Sequence, residues 1–100
     1  MVPEIIWSED ALLGLDKEIV YLEENFTNIE IQKFTARITQ KLLLIQSNPR
    51  LGRKVGNKQN VYQTTINKRI VLFYFHRPQK KEIHILAIWN TLQDPKKLKI

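Results

Sequence analysis

Past a short apolar run at Ile5 to Trp7, the chain changes its hydrophobic period at Asn48-Pro49, and this change limits the folds open to it. Before it, apolar residues recur every three or four positions; after it, they alternate or run together. Helical segments followed by strand segments predict an α+β domain, with the helices segregated onto the sheet.

Ile5-Ile6-Trp7 reads as a short first strand, and Ser8 is placed to cap the helix that follows. Glu9 and Asp10 fall in its first turn, where the helix dipole favours negative charge. Leu12, Leu15, Ile19, Leu22 and Phe26 form one apolar stripe, and Gly14 weakens the helix by about 1 kcal/mol relative to Ala. The stretch Asn25 to Asn28 interrupts the pattern. Thr27 with Glu30 then makes a capping-box pair ahead of a second stripe, Ile31, Phe34, Ile38, Leu42 and Ile45. So short a connection predicts an antiparallel helical hairpin, which Asn48-Pro49 terminates because the residue before proline avoids the helical region.

Residues 50–60 are rich in Gly, Asn and basic side chains and read as a loop. Val61 to Ile66 alternates as a strand, and Asn67-Lys68 is a two-residue turn candidate. Arg69 to Phe75 is too continuously apolar for a one-sided strand and predicts a central strand covered on both faces. After a turn at Arg77 to Lys81, Glu82 to Trp89 reads as the last strand. Strict alternation there puts Ile83, Ile85, Ala87 and Trp89 on one face and His84, Leu86 and Ile88 on the other. The expected fold is β-α-α-β-β-β: one domain over residues 1–100, with an N-terminal helical hairpin on a mostly antiparallel four-stranded sheet that takes the first strand at an edge.

Charge divides at the same place. Residues 1–47 carry four basic and eight acidic side chains, a net of −4; residues 48–100 carry twelve basic side chains against Glu82 and Asp94, a net of +10. A basic half beside an acidic half points to a polyanionic or acidic partner on one side of the molecule. There is no cysteine, which excludes disulfides, thiolate catalysis and Cys-based zinc sites, and no apolar run reaches the ~18–20 residues of a membrane span. With no leader-like start, a cytoplasmic location and no membrane partner are expected.

Arg50, Arg53, Lys54, Lys58, Lys68 and Arg69 gather in the loop and the first sheet turn, without a balancing acid in the loop. They read as a contact patch for nucleic acid, ribosome or an acidic protein, against the alternative of a solvated surface. Trp89 is either a core plug, the commoner fate, or an exposed anchor next to Asn90. A lone strand histidine such as His84 is more often packed with one partner than catalytic. His76 and His84, without cysteine or clustered carboxylates, predict no metal, and no cofactor is expected. The tail Pro95 to Ile100 is short and cationic and reads either as frayed or as a target contact.

Several local patterns resemble the RelE/ParE toxins of bacterial type II toxin–antitoxin pairs. Trp7-Ser8-Glu9-Asp10-Ala11 resembles the family's opening strand, Ser and acidic-Ala helix start. Asn48-Pro49-Arg50-Leu51-Gly52 resembles its turn after the second helix, and Val61 through Tyr74 its paired strands with a basic residue leading into an apolar run. Ile83 through Leu98 looks like the end of ParE-type members. The resemblance implies a cognate antitoxin as partner, in a hetero-oligomer, wrapped along the hairpin and the sheet edge. It implies two activities: RelE-type members cut mRNA on the ribosome, whereas ParE-type members poison DNA gyrase by binding.

Cleavage by a 2′-hydroxyl needs a proton acceptor, a proton donor and positive charge at the phosphate. Arg53, Lys54 and Arg69 match basic positions of the cleaving members. After the last strand, however, where those members place basic residues and a Tyr or His, this chain has Trp89, Asn90, Thr91, Leu92 and Gln93, none of which titrates near neutral pH. Tyr74 and His76 sit on the preceding strand. A ParE-like gyrase inhibitor that is not an enzyme is the preferred expectation. An mRNA endonuclease using Arg53, Lys54 and Arg69 is the second, and a basic binding module with no toxic role the third.

Overall fold

A computed structural model describes residues 2–98, so Lys99 and Ile100 of the cationic tail lie outside the described residues. The chain runs β1 (Glu4–Trp7), α1 (Glu9–Asn25), α2 (Asn28–Ser47), β2 (Arg53–Lys54), β3 (Val61–Thr65), β4 (Ile70–Arg77) and β5 (Glu82–Asn90). Short 3-10 turns occupy Pro78–Lys80 and Pro95–Lys97.

Sequence-coded caps set both helices. The Ser8 hydroxyl accepts from Ala11 N–H at 3.0 Å and donates to the Leu86 carbonyl at 3.1 Å, so one side chain starts α1 and ties it to the sheet. The Glu30 carboxylate reaches back to the Thr27 N–H at 3.2 Å and to the Thr27 hydroxyl, starting α2. The carboxyl of Glu30 is held below its usual range, chiefly by that hydroxyl. α1 ends at the Asn25 to Asn28 break and α2 just before Asn48.

The sheet order is β1-β5-β4-β3-β2, with β1 parallel to β5 and every other pairing antiparallel. It has five strands where four were expected. The addition is β2, whose two residues pair Arg53 with Gln63 and Lys54 with Tyr62 inside the stretch read as loop. Two residues carry no period, which is why alternation could not reveal it. The turn after β3 is longer than two residues: Ile66 N–H donates to the Ile70 carbonyl, and the Asn67 carboxamide oxygen accepts from Arg69 N–H and Ile70 N–H. Arg69 therefore belongs to the turn, and β4 begins at Ile70.

The core lies between the hairpin and one face of the sheet. Ala11, Leu22, Phe34, Ile38 and Ile45 pack on Tyr62, Ile70, Leu72, Tyr74, Ile83 and Ile85. Leu12 and Phe26 fall outside it and are about half exposed, so the α1 stripe is narrower than its apolar residues suggest. β4 is central, but only one of its faces carries a helical layer. On the other, Phe73 is only 6% exposed, shielded by its neighbours within the sheet.

The register of β4 on β5 slips between Phe73, opposite Ala87, and Tyr74, opposite Ile85, leaving Leu86 as the extra residue of a bulge. Past it the faces exchange. Ile88 joins Ile83 and Ile85 in the core, while Ala87 and Trp89 move to the open face with His84. The expected grouping of Ala87 and Trp89 with Ile83 and Ile85 is thus corrected by one inserted residue. Gly14 lets α1 cross β5 there, because a Cβ would stand 2.4 Å from the Ile88 carbonyl oxygen.

Candidate functional site

Two polar regions lie on the sheet, and they are built differently. The first is the β2 edge. Pro49 and Gly52 bracket the chain entering it, and Tyr74 fastens both: its hydroxyl donates to the Pro49 carbonyl at 2.8 Å and accepts from Gly52 N–H at 2.9 Å. Tyr74 is fully buried and stacked on Tyr62 at 5.4 Å, and burial pushes its phenol above the usual range. Its two hydrogen bonds make it a clamp between β4 and the chain entering β2. Gly52 is required because a Cβ would lie 2.7 Å from the Gln63 carbonyl oxygen.

From this clamp Arg53 projects to the open face with Gln63, and Lys54 to the helical side with Tyr62, because paired residues share a face. Arg50, Lys58 and Lys68 are exposed. Among the described residues no Lys or Arg side chain forms an ion pair with a carboxylate. His76, on the helical side of β4, has its imidazole pKa lowered by desolvation and then by Arg50.

The second region is the turn after β3. The Arg69 guanidinium donates to the Tyr21 hydroxyl at 3.2 Å and stands 5.0 Å over that ring, while its backbone N–H is taken by Asn67 and its carbonyl by Thr91 N–H. Arg69 is thus committed to the helical hairpin. The structure brings Arg53 and Lys54 together on one two-residue strand but does not bring Arg69 to them.

Near the other edge of the sheet, His84 Nε2 lies 3.0 Å from Glu82 Oε1, with the Phe75 ring tilted at 6.1 Å and Arg77 opposite Glu82. This histidine has its one partner, as its strand context suggested. Periodicity could have found the pair, since residues two apart on a strand share a face. Trp89 is half-buried on the open face, neither core plug nor free anchor. Asn90, at the end of β5, donates from its side chain to Glu18 Oε1 at 2.9 Å and accepts from Leu92 N–H, so it fixes where the tail leaves the sheet. Glu18 is a buried carboxylate that the apolar α1 stripe concealed. Among the described residues no group of three or more His, Cys, Asp or Glu could hold a metal, and no helix is long and apolar enough to cross a membrane.

Comparison with known proteins decides the family. Residues 5–95 match the model of the ParE toxin of the type II toxin–antitoxin system parDE. The chain belongs to the ParE toxin family. Solved structures of several toxins share its fold. The chromosomal ParDE system of P. aeruginosa has a TM-score of 0.70 at 18% identity, covering 89% of this chain and 96% of that one. The YoeB–YefM complex of Staphylococcus aureus has 0.59 at 20%, covering 89% and 97%. A double mutant of the E. coli toxin RelE in the free state has 0.60 at 17%, covering 90% and 84%. No curated protein matches the chain. The family is one of type II toxins, which favours a toxin over a basic module with no toxic role.

Proposed function

We propose that this toxin acts by binding, as a ParE-type inhibitor of DNA gyrase, and that a cognate antitoxin holds it in a hetero-oligomer. The supporting observation is the separation of charge from acid–base chemistry. Arg53 stands on β2, while the open face's His–carboxylate pair stands on β5, three strand spacings away, or roughly 14 Å. Arg69 is engaged by Tyr21 on the other side of the sheet. This separation argues against the cations matched to the cleaving members acting with His84 on one phosphodiester. The ParDE and YoeB–YefM complexes among the solved relatives support an antitoxin partner. On this reading Arg50, Arg53, Lys54, Lys58, Lys68, Trp89 and Asn90 contact or position the toxin on its target, and no metal or cofactor takes part.

One observation favours a second reading, RNA cleavage on the ribosome. Glu82 lies 3.0 Å from His84 and opposite Arg77 in the register, which sets a histidine, a carboxylate and a cation on one face at a site the resemblance did not indicate. Purified toxin added to gyrase and supercoiled DNA separates the two. Binding predicts loss of supercoiling with trapped cleaved DNA, unaffected by His84→Ala. An inert gyrase reaction, with His84-dependent cleavage of mRNA on ribosomes, favours the second reading.

A further inference from the structure

β5 outruns its outer neighbour. β1 pairs with it only as far as Ile85, so among the described residues no strand lies beside its rim from Ala87 to Asn90. α1 crosses that rim at Gly14, and the tail that follows Asn90 turns back beside it. Helix, rim and tail border a cleft of about 260 Å³, where Lys97 and Leu98 meet Asp10, Leu13 and Gly14.

Two anchors hold the tail. At its start the Asn90 carboxamide works in both directions: its nitrogen donates to Glu18 Oε1 at 2.9 Å, and its oxygen accepts from Leu92 N–H at 2.9 Å. Glu18 is 6% exposed, so losing this bond leaves a buried carboxylate without its donor. At the far end Leu98 is half-buried, although every residue from Thr91 to Lys97 is exposed. Thr91 N–H donates to the Arg69 carbonyl at 2.7 Å. Beyond Thr91 the tail's hydrogen bonds, among the described residues, reach no farther than Asn90. Gln93 N–H donates to the Asn90 carbonyl, and the Asp94 carboxylate accepts from Lys96 N–H to cap the turn Pro95–Lys97. A segment shaped by its own bonds keeps that shape when its outer contacts are lost.

We infer that residues 91–98 are a strap over the free rim of β5, latched by the Glu18–Asn90 hydrogen bond and hinged at Thr91 and Leu92. While the latch holds, Leu98 stays in the cleft. When it breaks, the strap lifts in one piece and uncovers an unpaired strand rim, the feature that sheets ordinarily keep covered. Asn90 is a positioning residue, joining the strap to α1 through Glu18, and the device is independent of the target on which the toxin acts.

The test is amide relaxation and proton NOE spectroscopy on the intact chain. In the wild type, amide order parameters at residues 92–98 should be about 0.8, with cross-peaks between the Leu98 methyls and Leu13 or Gly14. Asn90→Asp sets two carboxylates against each other. It should lower those order parameters below about 0.6 and erase the cross-peaks, while the circular dichroism spectrum holds. Asn90→Asp combined with Glu18→Gln remakes the bond with donor and acceptor exchanged, and should return both readouts to wild-type values. A side chain that only fills space would not be rescued by reversed polarity. A mobile strap in the wild type, a rigid one in Asn90→Asp, or no recovery in a folded double variant would overturn the latch. Leu98→Ser probes the other anchor from the surface and keeps the test usable if the Asn90 variants fail to fold. It should free residues 94–98 and leave Leu92 and Gln93 held; mobility throughout residues 92–98 would reject the latch at Asn90.

Discussion

Arg53 and Arg69 carry the same guanidinium, and the fold treats them in opposite ways. Arg69 is fixed by Tyr21 through a hydrogen bond and a ring face, with its backbone anchored at both ends. Arg53 stands exposed on a two-residue edge strand, among other cations in the basic half of the chain. Free cations raise the local potential and steer a polyanion without choosing its sequence. One region carries exposed charge, the other a charge held in place.

That contrast can be broken, and the largest effect belongs to the clamp beneath the free edge. Tyr74→Phe leaves Gly52 N–H and the Pro49 carbonyl without their partner and should cost about 1–3 kcal/mol in urea unfolding. Its expected product is a looser β2 with an unchanged Arg69 turn, visible as faster amide exchange at residues 50–54 only. Arg69→Ala comes next: loss of the contact with Tyr21 should lower stability by about 0.5–1 kcal/mol. Arg53→Ala with Lys54→Ala should leave stability within about 0.5 kcal/mol, because both side chains are exposed and neither forms an ion pair among the described residues. On the proposed gyrase reading, the same pair should slow association with the gyrase–DNA complex and flatten its salt dependence. If this double variant destabilises more than Arg69→Ala, the contrast between free and fixed cations is wrong.

The smallest effect is a pH slope. Burial and Arg50 lower the His76 pKa in the folded protein, so the unfolded chain takes up a proton first as pH falls below the ordinary value of 6.5. His76 therefore contributes stability that is present above 6.5 and lost as pH falls toward its depressed folded value. His76→Gln should flatten stability across that window, and Arg50→Ala should flatten it by less, as the lesser cause.

The elements that announce themselves locally were legible in the sequence. Ser8, Thr27 with Glu30, and Asn48-Pro49 each set a helix end through neighbours within four residues, so their spacing carries the information. The bulge at Leu86 was not legible: one extra residue leaves no composition mark, yet it turned Trp89 to the open face and Ile88 into the core. Family resemblance marked the basic residues, but not which cations share a surface. That depended on where Tyr21 and the turn after β3 meet in space. Glu18 was hidden for the reverse reason, since an acid on an apolar stripe acquires meaning only from Asn90, far along the chain.

The central claim is that the toxin acts by binding and not by cutting. The most direct measurement follows DNA and protein synthesis together after this chain is induced in a bacterium lacking its antitoxin. The account predicts early filamentation and a DNA-damage response while translation continues, in wild type and in His84→Ala alike. An immediate stop in protein synthesis with cleaved messages, abolished by His84→Ala, would contradict it.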